Sequence, residues 1–292
     1  MINNVKDLIA AINDDLAQWD DGIKPWFRGE SDDQSPLCPK IAEYDEYGEN
    51  YLLQSFRRKA EGLANVPPRQ GHTDLWLFLA QHYGVPTRLL DWTEGLLHAL
   101  YFAINRANSK PRIYMLNNHR LNKLAGMSLD KLNYPLSWVK GGSLYIALAW
   151  QHRRLNSKQI EIAKSNNTKL DIPIAFPATY QDQRMFAQRS CFTIHGTSLK
   201  PLQDILSEQE IRLSEYLIEY EIDIDEKSSL LRELSILGIS ASTVFPDLEN
   251  LAIDLKTDVE RFHELGKNED AGINPYLHNK QKDINSDDSS TT

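Results

Sequence analysis

Residues 81 to 93 combine side chains that could do chemistry with residues that fix the backbone; their sequence is Gln-His-Tyr-Gly-Val-Pro-Thr-Arg-Leu-Leu-Asp-Trp-Thr. Arg88 and Asp91 supply opposite charges within an otherwise apolar run, which is unusual both for a surface turn and for a plain core strand. Gly84 and Pro86 end the preceding helix, because glycine tolerates unusual backbone angles and proline lacks an N–H. The pattern predicts a buried segment that delivers polar groups to a defined place. An internal salt bridge between Arg88 and Asp91 that fixes a turn explains the same residues, and the sequence leaves both interpretations open.

A second candidate for chemistry is Arg28, which follows the aromatic pair Trp26-Phe27 in a predicted short strand. At the end of that strand its long side chain could point into a cleft. Gly29 would let the backbone turn sharply there or approach a ligand closely. A surface arginine that pairs with Glu30 is the alternative.

Hydrophobic spacing predicts the elements that must position these residues. Apolar residues at three- and four-residue steps predict helices over 5–19, 51–64, 73–82, 94–107, 143–159, 228–237 and 247–265. Thr73 is the predicted N-cap of the third helix. Alternation and β-prone residues predict strands over 23–30, 112–116, 172–177, 189–196 and 216–224, and the prolines of 172–177 predict an edge strand.

The order of these elements predicts a mixed α+β domain with peripheral helices. We expect a single domain over 1–265 with a core at about 20–255 and a helical insertion at about 117–170. The insertion could be a lid or a partner-binding lobe. Residues 266–292 are polar and are interpreted as a disordered tail.

Composition narrows the class of protein. The net charge of −9 excludes a surface that attracts nucleic acid or anionic membranes as a whole, although a local basic groove is compatible with it. Cys38 and Cys191 lie far apart without metal-ligand spacing, which is typical of a reducing compartment. There is neither a signal-peptide pattern nor an apolar run of about 20 residues, so we expect a cytoplasmic protein without membrane partners.

The sequence lacks several common catalytic and cofactor-binding motifs. The sequence has no phosphate loop, no dinucleotide fingerprint, no zinc-protease motif and no serine-hydrolase elbow. Its eight histidines show no pairing with cysteine at metal-ligand spacing, so we expect no metal. His82, His98 and His195 are interpreted as packing or capping residues.

The two candidate stretches resemble the FRG domain family, which is named for a Phe-Arg-Gly motif. The resemblance lies in residues 26–30, in residues 81–93 and in the following helix at Ala99 and 101–103. It extends over about residues 20 to 255 through later, shorter matches at Arg184, Gln188, Phe192, 237–239 and 245–248. Ser190 departs from the family, which often has glycine at that place.

The order of elements is also distantly similar to that of ADP-ribosyltransferases. This similarity implies a split, mostly antiparallel sheet that clamps NAD as a substrate. It further implies an effector of the toxin or phage-defence type, which modifies a nucleic acid or a protein and which a partner could neutralise. The diphosphate would be held by Arg28 or Arg88, since arginine binds phosphate bidentately. The expected NAD-binding residues also include Gly29, Tyr83, Trp92 and Thr93. Tyr83 and Trp92 could stack on nicotinamide or simply pack in the core.

Cleavage of the nicotinamide–ribose bond passes through an oxocarbenium-like state that a carboxylate can stabilise. No glutamate stands in residues 189–196, where such enzymes would be expected to place one. The carboxylate role therefore falls to Glu30 or Asp91. Gln188 is the nearest polar match, and a buried amide that satisfies backbone groups is its alternative role. The missing glutamate equally fits a non-catalytic module that binds a nucleotide or a partner, or a purely structural interaction protein.

Overall fold

The computed structural model describes residues 1–19, 22–32, 36–64, 67–69, 71–127, 141–180 and 182–268. Within these residues the chain forms one six-stranded antiparallel sheet and twelve α-helices. The strands are β1 (Trp26–Glu30), β2 (Leu89–Thr93), β3 (Arg112–Leu116), β4 (Ile174–Pro177), β5 (Ser190–Ile194) and β6 (Leu217–Glu221). Their order across the sheet is β4-β5-β2-β1-β3-β6. The predicted strands are therefore confirmed as elements, and β4 lies at an edge as its prolines predicted.

The helices surround the sheet. They are α1 (Val5–Trp19), α2 (Glu46–Ala60), α3 (Thr73–His82), α4 (Leu96–Asn105), α5 (Asn118–Leu124), α6 (Gly142–Trp150), α7 (Ser157–Ser165), α8 (Gln183–Ala187), α9 (Leu202–Ser207), α10 (Lys227–Ile236), α11 (Ala241–Val244) and α12 (Leu248–Asn268). The short helices α5, α9 and α11 were not predicted, because four to seven residues are too few to show a helical period.

Three predictions about the helices were wrong in ways that the capping residues explain. The helix predicted from residue 51 begins at Glu46, because the Asp45 side chain accepts from the backbone N–H of Gly48 and caps it. The N-cap of α3 is His72, so Thr73 is the first helical residue. The helix predicted over 143–159 is two helices, since the backbone leaves the helical region after Trp150 and Asn156 starts α7 with a capping box.

Residues 117–170 are integrated into the core where the structure describes them. Helix α6 is buried along most of its length, and the Tyr145 hydroxyl donates to the carbonyl of Ile172 at 2.6 Å. The described part of the segment therefore contributes to the hydrophobic core. The predicted tail begins too early, because α12 continues through Asn268; residues 269–292 lie outside the described part of the chain.

The Phe-Arg-Gly segment of β1 places residues on both faces of the sheet. Successive side chains of a strand point to opposite faces, so Phe27 and Gly29 share one face and Arg28 lies on the other. On the Gly29 face α4 packs so closely that an added Cβ would lie 1.9 Å from the Ala99 carbonyl oxygen and 2.6 Å from the Ala103 nitrogen. Glycine at position 29 is therefore required by helix packing.

The junction between β1 and β2 is the weakest in the sheet. The two strands pair only through Phe27 and Thr93, whereas β1 and β3 pair at five positions. If the β1–β2 register continued, Gly29 would stand opposite Asp91, but the strands have separated there. The sheet is one continuous sheet, so the expected split into two halves is limited to this junction.

Candidate functional site

A cavity of about 310 Å³ opens where β1 and β2 separate. Its wall combines aromatic and polar side chains from six elements, β1, α3, β2, α4, α8 and β5. The lining residues are Phe27, Arg28, Gly29, Gln81, His82, Gly84, Asp91, Trp92, Thr93, Phe102, Arg184, Met185, Gln188, Ser190 and Phe192. A second cavity of about 600 Å³ lies against residues 36–43 and shares Arg28, Gln81, Gly84 and Asp91 with the first. The two cavities therefore meet at one polar wall.

Arg28 is the centre of that wall. Its Nε donates to Glu30 Oε1 at 2.5 Å, and its Nη1 donates to the backbone carbonyl of Asp91 at 2.6 Å. The second bond crosses the gap between the separated strands and takes the place of a missing backbone bond. The predicted Arg28–Glu30 pair is therefore present, but its side chains are only 20% and 13% exposed, so it lines a cavity wall and does not lie on the open surface.

Asp91 presents its carboxylate to solvent on the same wall. Its side chain is 58% exposed, its Oδ2 lies 4.0 Å from Arg28 Nη1, and it accepts from Gln81 Nε2 at 2.7 Å. Gln81 in turn accepts from the Thr87 hydroxyl at 2.6 Å. This chain of bonds fixes the orientation of the carboxylate while leaving part of it accessible. Glu30 lines only the second of the two cavities and is 13% exposed.

Gln188 contributes a donor without a partner. Its side-chain Nε2 is buried and makes no hydrogen bond to any described residue, although its side chain lines the first cavity. Its backbone carbonyl accepts from the Thr93 hydroxyl at 2.7 Å, and that hydroxyl accepts from the backbone N–H of Gly95 at 3.0 Å. Thr93 therefore joins β2, the start of α4 and the turn before β5. The predicted role of Gln188 as a fully satisfied buried amide does not hold for Nε2.

Two further basic residues stand at the rim. Arg184 lies on α8 with its Cζ 4.8 Å from the centre of the Phe245 ring. His82 Nε2 lies 3.1 Å from Asp182 Oδ2. Burial lowers the pKa of His82 and Arg184 lowers it further, while Asp182 acts in the opposite direction.

Arg88 does not belong to the site. Its side chain is 1% exposed and forms a two-bond ion pair with Glu49, at 2.5 Å and 2.9 Å, and it also donates to the Gly196 carbonyl. The predicted Arg88–Asp91 salt bridge is therefore wrong, because the Arg88 guanidinium pairs with buried Glu49 whereas Asp91 lines the two cavities. The geometry also gives no support to Arg88 as a diphosphate ligand, since its guanidinium is enclosed in the core.

Of the remaining predicted residues, Trp92 lines a cavity and Tyr83 does not. Trp92 lines the first cavity but is buried at 3% exposure, and its Nε1 donates to Thr193 Oγ1 at 3.1 Å. Tyr83 is 69% exposed and lines neither cavity, so the structure does not bring it to the wall. The residues that line the first cavity but were not among the predicted site residues are Phe27, Gln81, His82, Gly84, Phe102, Arg184, Met185, Ser190 and Phe192. All but Met185 lay in or beside noticed segments, but no local signal distinguished them from core residues.

The comparison with family models supports one part of the earlier resemblance. The FRG domain model matches residues 24–112, which include β1, β2 and the helices between them. The later matches at residues 184–192 and 237–248 lie outside that range. No curated protein and no solved structure matches the chain significantly.

None of the described helices is both long and apolar enough to cross a membrane. In the same part of the chain, no three or more His, Cys, Asp or Glu side chains are grouped so that they could hold a metal ion.

Proposed function

We propose that the two joined cavities bind NAD and that the protein transfers ADP-ribose from it to a nucleic acid or a protein, as an effector of the toxin or phage-defence type. The observation that carries the proposal is the wall formed by Arg28 and Asp91 between the cavities. Ligand pockets typically enclose roughly 300–1,000 Å³. Cavities of about 310 and 600 Å³ on the two sides of one polar wall suit a ligand with two ring systems joined by a charged linker.

Asp91 is the carboxylate that suits the bond-breaking step, because it lines both cavities and remains accessible. The bond between ribose C1′ and nicotinamide breaks, and its electron pair leaves with nicotinamide. The positive charge that develops on the ribose is stabilised by a nearby carboxylate. A nucleophilic atom of the target then bonds to C1′ and loses its proton. Arg28 holds the Asp91 backbone in place and leaves the opposite side of the carboxylate open.

Gln188 and the aromatic side chains supply recognition. The unpartnered Nε2 of Gln188 can donate to a ligand oxygen, which would remove the cost of leaving a buried donor unsatisfied. Phe27, Phe102 and Phe192 line the first cavity and offer ring faces and edges for a flat heterocycle.

The test is incubation of the purified protein with labelled NAD and cell lysate, followed by separation of protein, RNA and DNA. We expect label in one fraction with wild type and its loss with Asp91→Asn, which keeps the side-chain shape and removes the charge. Asp14→Asn, at an exposed position on α1, is the matched control and should label as wild type does. Neither label nor nicotinamide release from folded wild-type protein would refute the proposal.

A second candidate is a module that binds a nucleotide without turnover. It is favoured by the absence of glutamate from the described lining of the first cavity and by the engagement of Arg28 with Glu30. This module would show thermal stabilisation by NAD or ADP-ribose without nicotinamide release. A melting temperature unchanged by every nucleotide would exclude it.

A further inference from the structure

The guanidinium of Arg184 differs from that of Arg28 in the partners that it contacts. The Nε of Arg28 donates to the Glu30 carboxylate, and its Nη1 donates to the Asp91 carbonyl. Arg184 is exposed and forms no direct ion pair with a carboxylate of the described residues. The Asp247 carboxylate interacts with it at longer range: hydrogen bonds from Asn250, with a smaller contribution from Arg184, lower the pKa of Asp247. A ligand anion at Arg28 would have to compete with a hydrogen-bonded carboxylate, whereas an anion at Arg184 would displace no directly bonded carboxylate.

Phe245 fixes the position of Arg184. The guanidinium carbon lies 4.8 Å from the centre of the ring, and the same ring makes an edge contact with Phe102 at 6.0 Å between centres. Phe102 and Arg184 both line the first cavity. A guanidinium stacked on an aromatic face loses little freedom when it binds an anion, because its plane is already oriented.

The arginine is also close to the unpartnered donor of the cavity. Arg184 and Gln188 are four residues apart, and the backbone N–H of Gln188 donates to the Arg184 carbonyl at 2.9 Å. Residues four apart lie on the same side of a helical turn. One turn of chain therefore carries a guanidinium without a direct ion pair and an unsatisfied amide N–H, both on the cavity wall.

From this arrangement we infer that Arg184, stacked on Phe245, is the residue that binds the diphosphate of the nucleotide, and that Arg28 is a positioning residue. The inference rests on the proposed function for the identity of the ligand. Its core, an oxyanion site at Arg184, stands on the geometry alone.

The experiment measures calorimetric dissociation constants for ADP-ribose, inorganic pyrophosphate and nicotinamide riboside, which has no phosphate. Loss of a charge-assisted bond predicts that Arg184→Gln weakens ADP-ribose and pyrophosphate binding about 10- to 100-fold. Binding of nicotinamide riboside should not change. Arg184→Lys keeps the charge but not the planar fork, so its loss should be smaller. Phe245→Leu keeps apolar volume and removes the ring face, and it should also weaken the two anions.

Arg212→Gln is the matched control. Arg212 is 78% exposed, and its described partner is Glu215, 3.6 Å away and three residues further on. This variant should bind all three ligands as wild type does.

The results distinguish failure of the oxyanion site from failure of the proposed function. Equal anion binding by wild type and Arg184→Gln would overturn the inference, and so would a wild type that binds neither ADP-ribose nor pyrophosphate. Pyrophosphate binding that depends on Arg184, without nucleotide binding or NAD cleavage, would refute the proposed function and leave the oxyanion site standing.

Discussion

The Arg28 guanidinium donates to the backbone carbonyl of Asp91 at 2.6 Å, across a gap that the two strands themselves do not close. Beyond the single pair of Phe27 and Thr93, this side chain replaces the sheet ladder between β1 and β2. The site therefore depends on a side chain for the spacing of its own walls. Loss of that side chain should change both stability and activity.

For Arg28→Ala we expect the transfer activity to be abolished, because the Asp91 carboxylate loses its support. A hydrogen bond to a charged group contributes roughly 1.5–3 kcal/mol, so the free energy of unfolding should fall by about that amount. Urea unfolding and nicotinamide release measure the two effects. Full activity in a folded Arg28→Ala protein would contradict the assignment of this wall.

Gln188→Met should weaken nucleotide binding without lowering the stability of the folded protein. The change removes a buried amide N–H that has no described partner and keeps the length of the side chain. We expect a free energy of unfolding that is equal to or up to about 1 kcal/mol above that of wild type, since an unsatisfied group is lost. Nucleotide affinity should fall, as measured by calorimetry. A large loss of stability would show that the amide is satisfied in the folded protein.

The Glu49–Arg88 pair should be a principal support of the core. Glu49 is 1% exposed and also accepts from Arg153 Nε at 2.7 Å, so Glu49→Gln leaves two cations short of a counter-charge. Breaking a buried pair costs about 3–5 kcal/mol. The surface control Glu46→Gln, whose partner Arg154 is 74% exposed, should cost under about 1 kcal/mol. Equal shifts of the urea midpoint in the two variants would refute this ranking.

Gly29→Ala should destabilise the protein without any ligand present. Its Cβ would lie 1.9 Å from the carbonyl oxygen of Ala99, and a backbone atom cannot move aside as a flexible side chain can. Overpacking of this kind costs about 1–3 kcal/mol, and we expect the upper end. Gly62→Ala, whose nearest atom would be 3.9 Å away, is the control and should unfold at the wild-type temperature.

His195 should make stability depend on pH. Burial, with help from Arg88, lowers the pKa of His195 to about 3, whereas an unfolded chain protonates its histidines near pH 6.5. Between these values the unfolded state binds more protons, so stability is complete above about pH 6.5 and falls as the pH falls toward about 3. Thermal melts between pH 7 and about 5 should show a shallower fall for His195→Gln than for wild type. His72→Gln, at an exposed position, should follow the wild-type curve.

Much of the secondary structure followed from the sequence. Residues 112–116 are a strand with the predicted ends, and residues 5–19 are the predicted first helix. Such patterns are local, because one period of a strand or helix is set by neighbouring residues. The prediction failed where the deciding residue was a cap or a turn, as at Asn156, whose side chain divides the helix predicted over 143–159.

The sequence by itself singled out residues 26–30 and 81–93, because polar and charged side chains are costly to bury without partners, and Arg28, Gln81 and Asp91 of these stretches share one wall. Only the tertiary structure decided which charges meet. Arg88 pairs with Glu49, 39 residues before it, and not with Asp91, three residues after it. Arg184 stacks on Phe245, far along the chain. Spacing along a strand or helix fixes the face on which a side chain lies, but its partner depends on which elements the register and the packing of the whole sheet bring beside it.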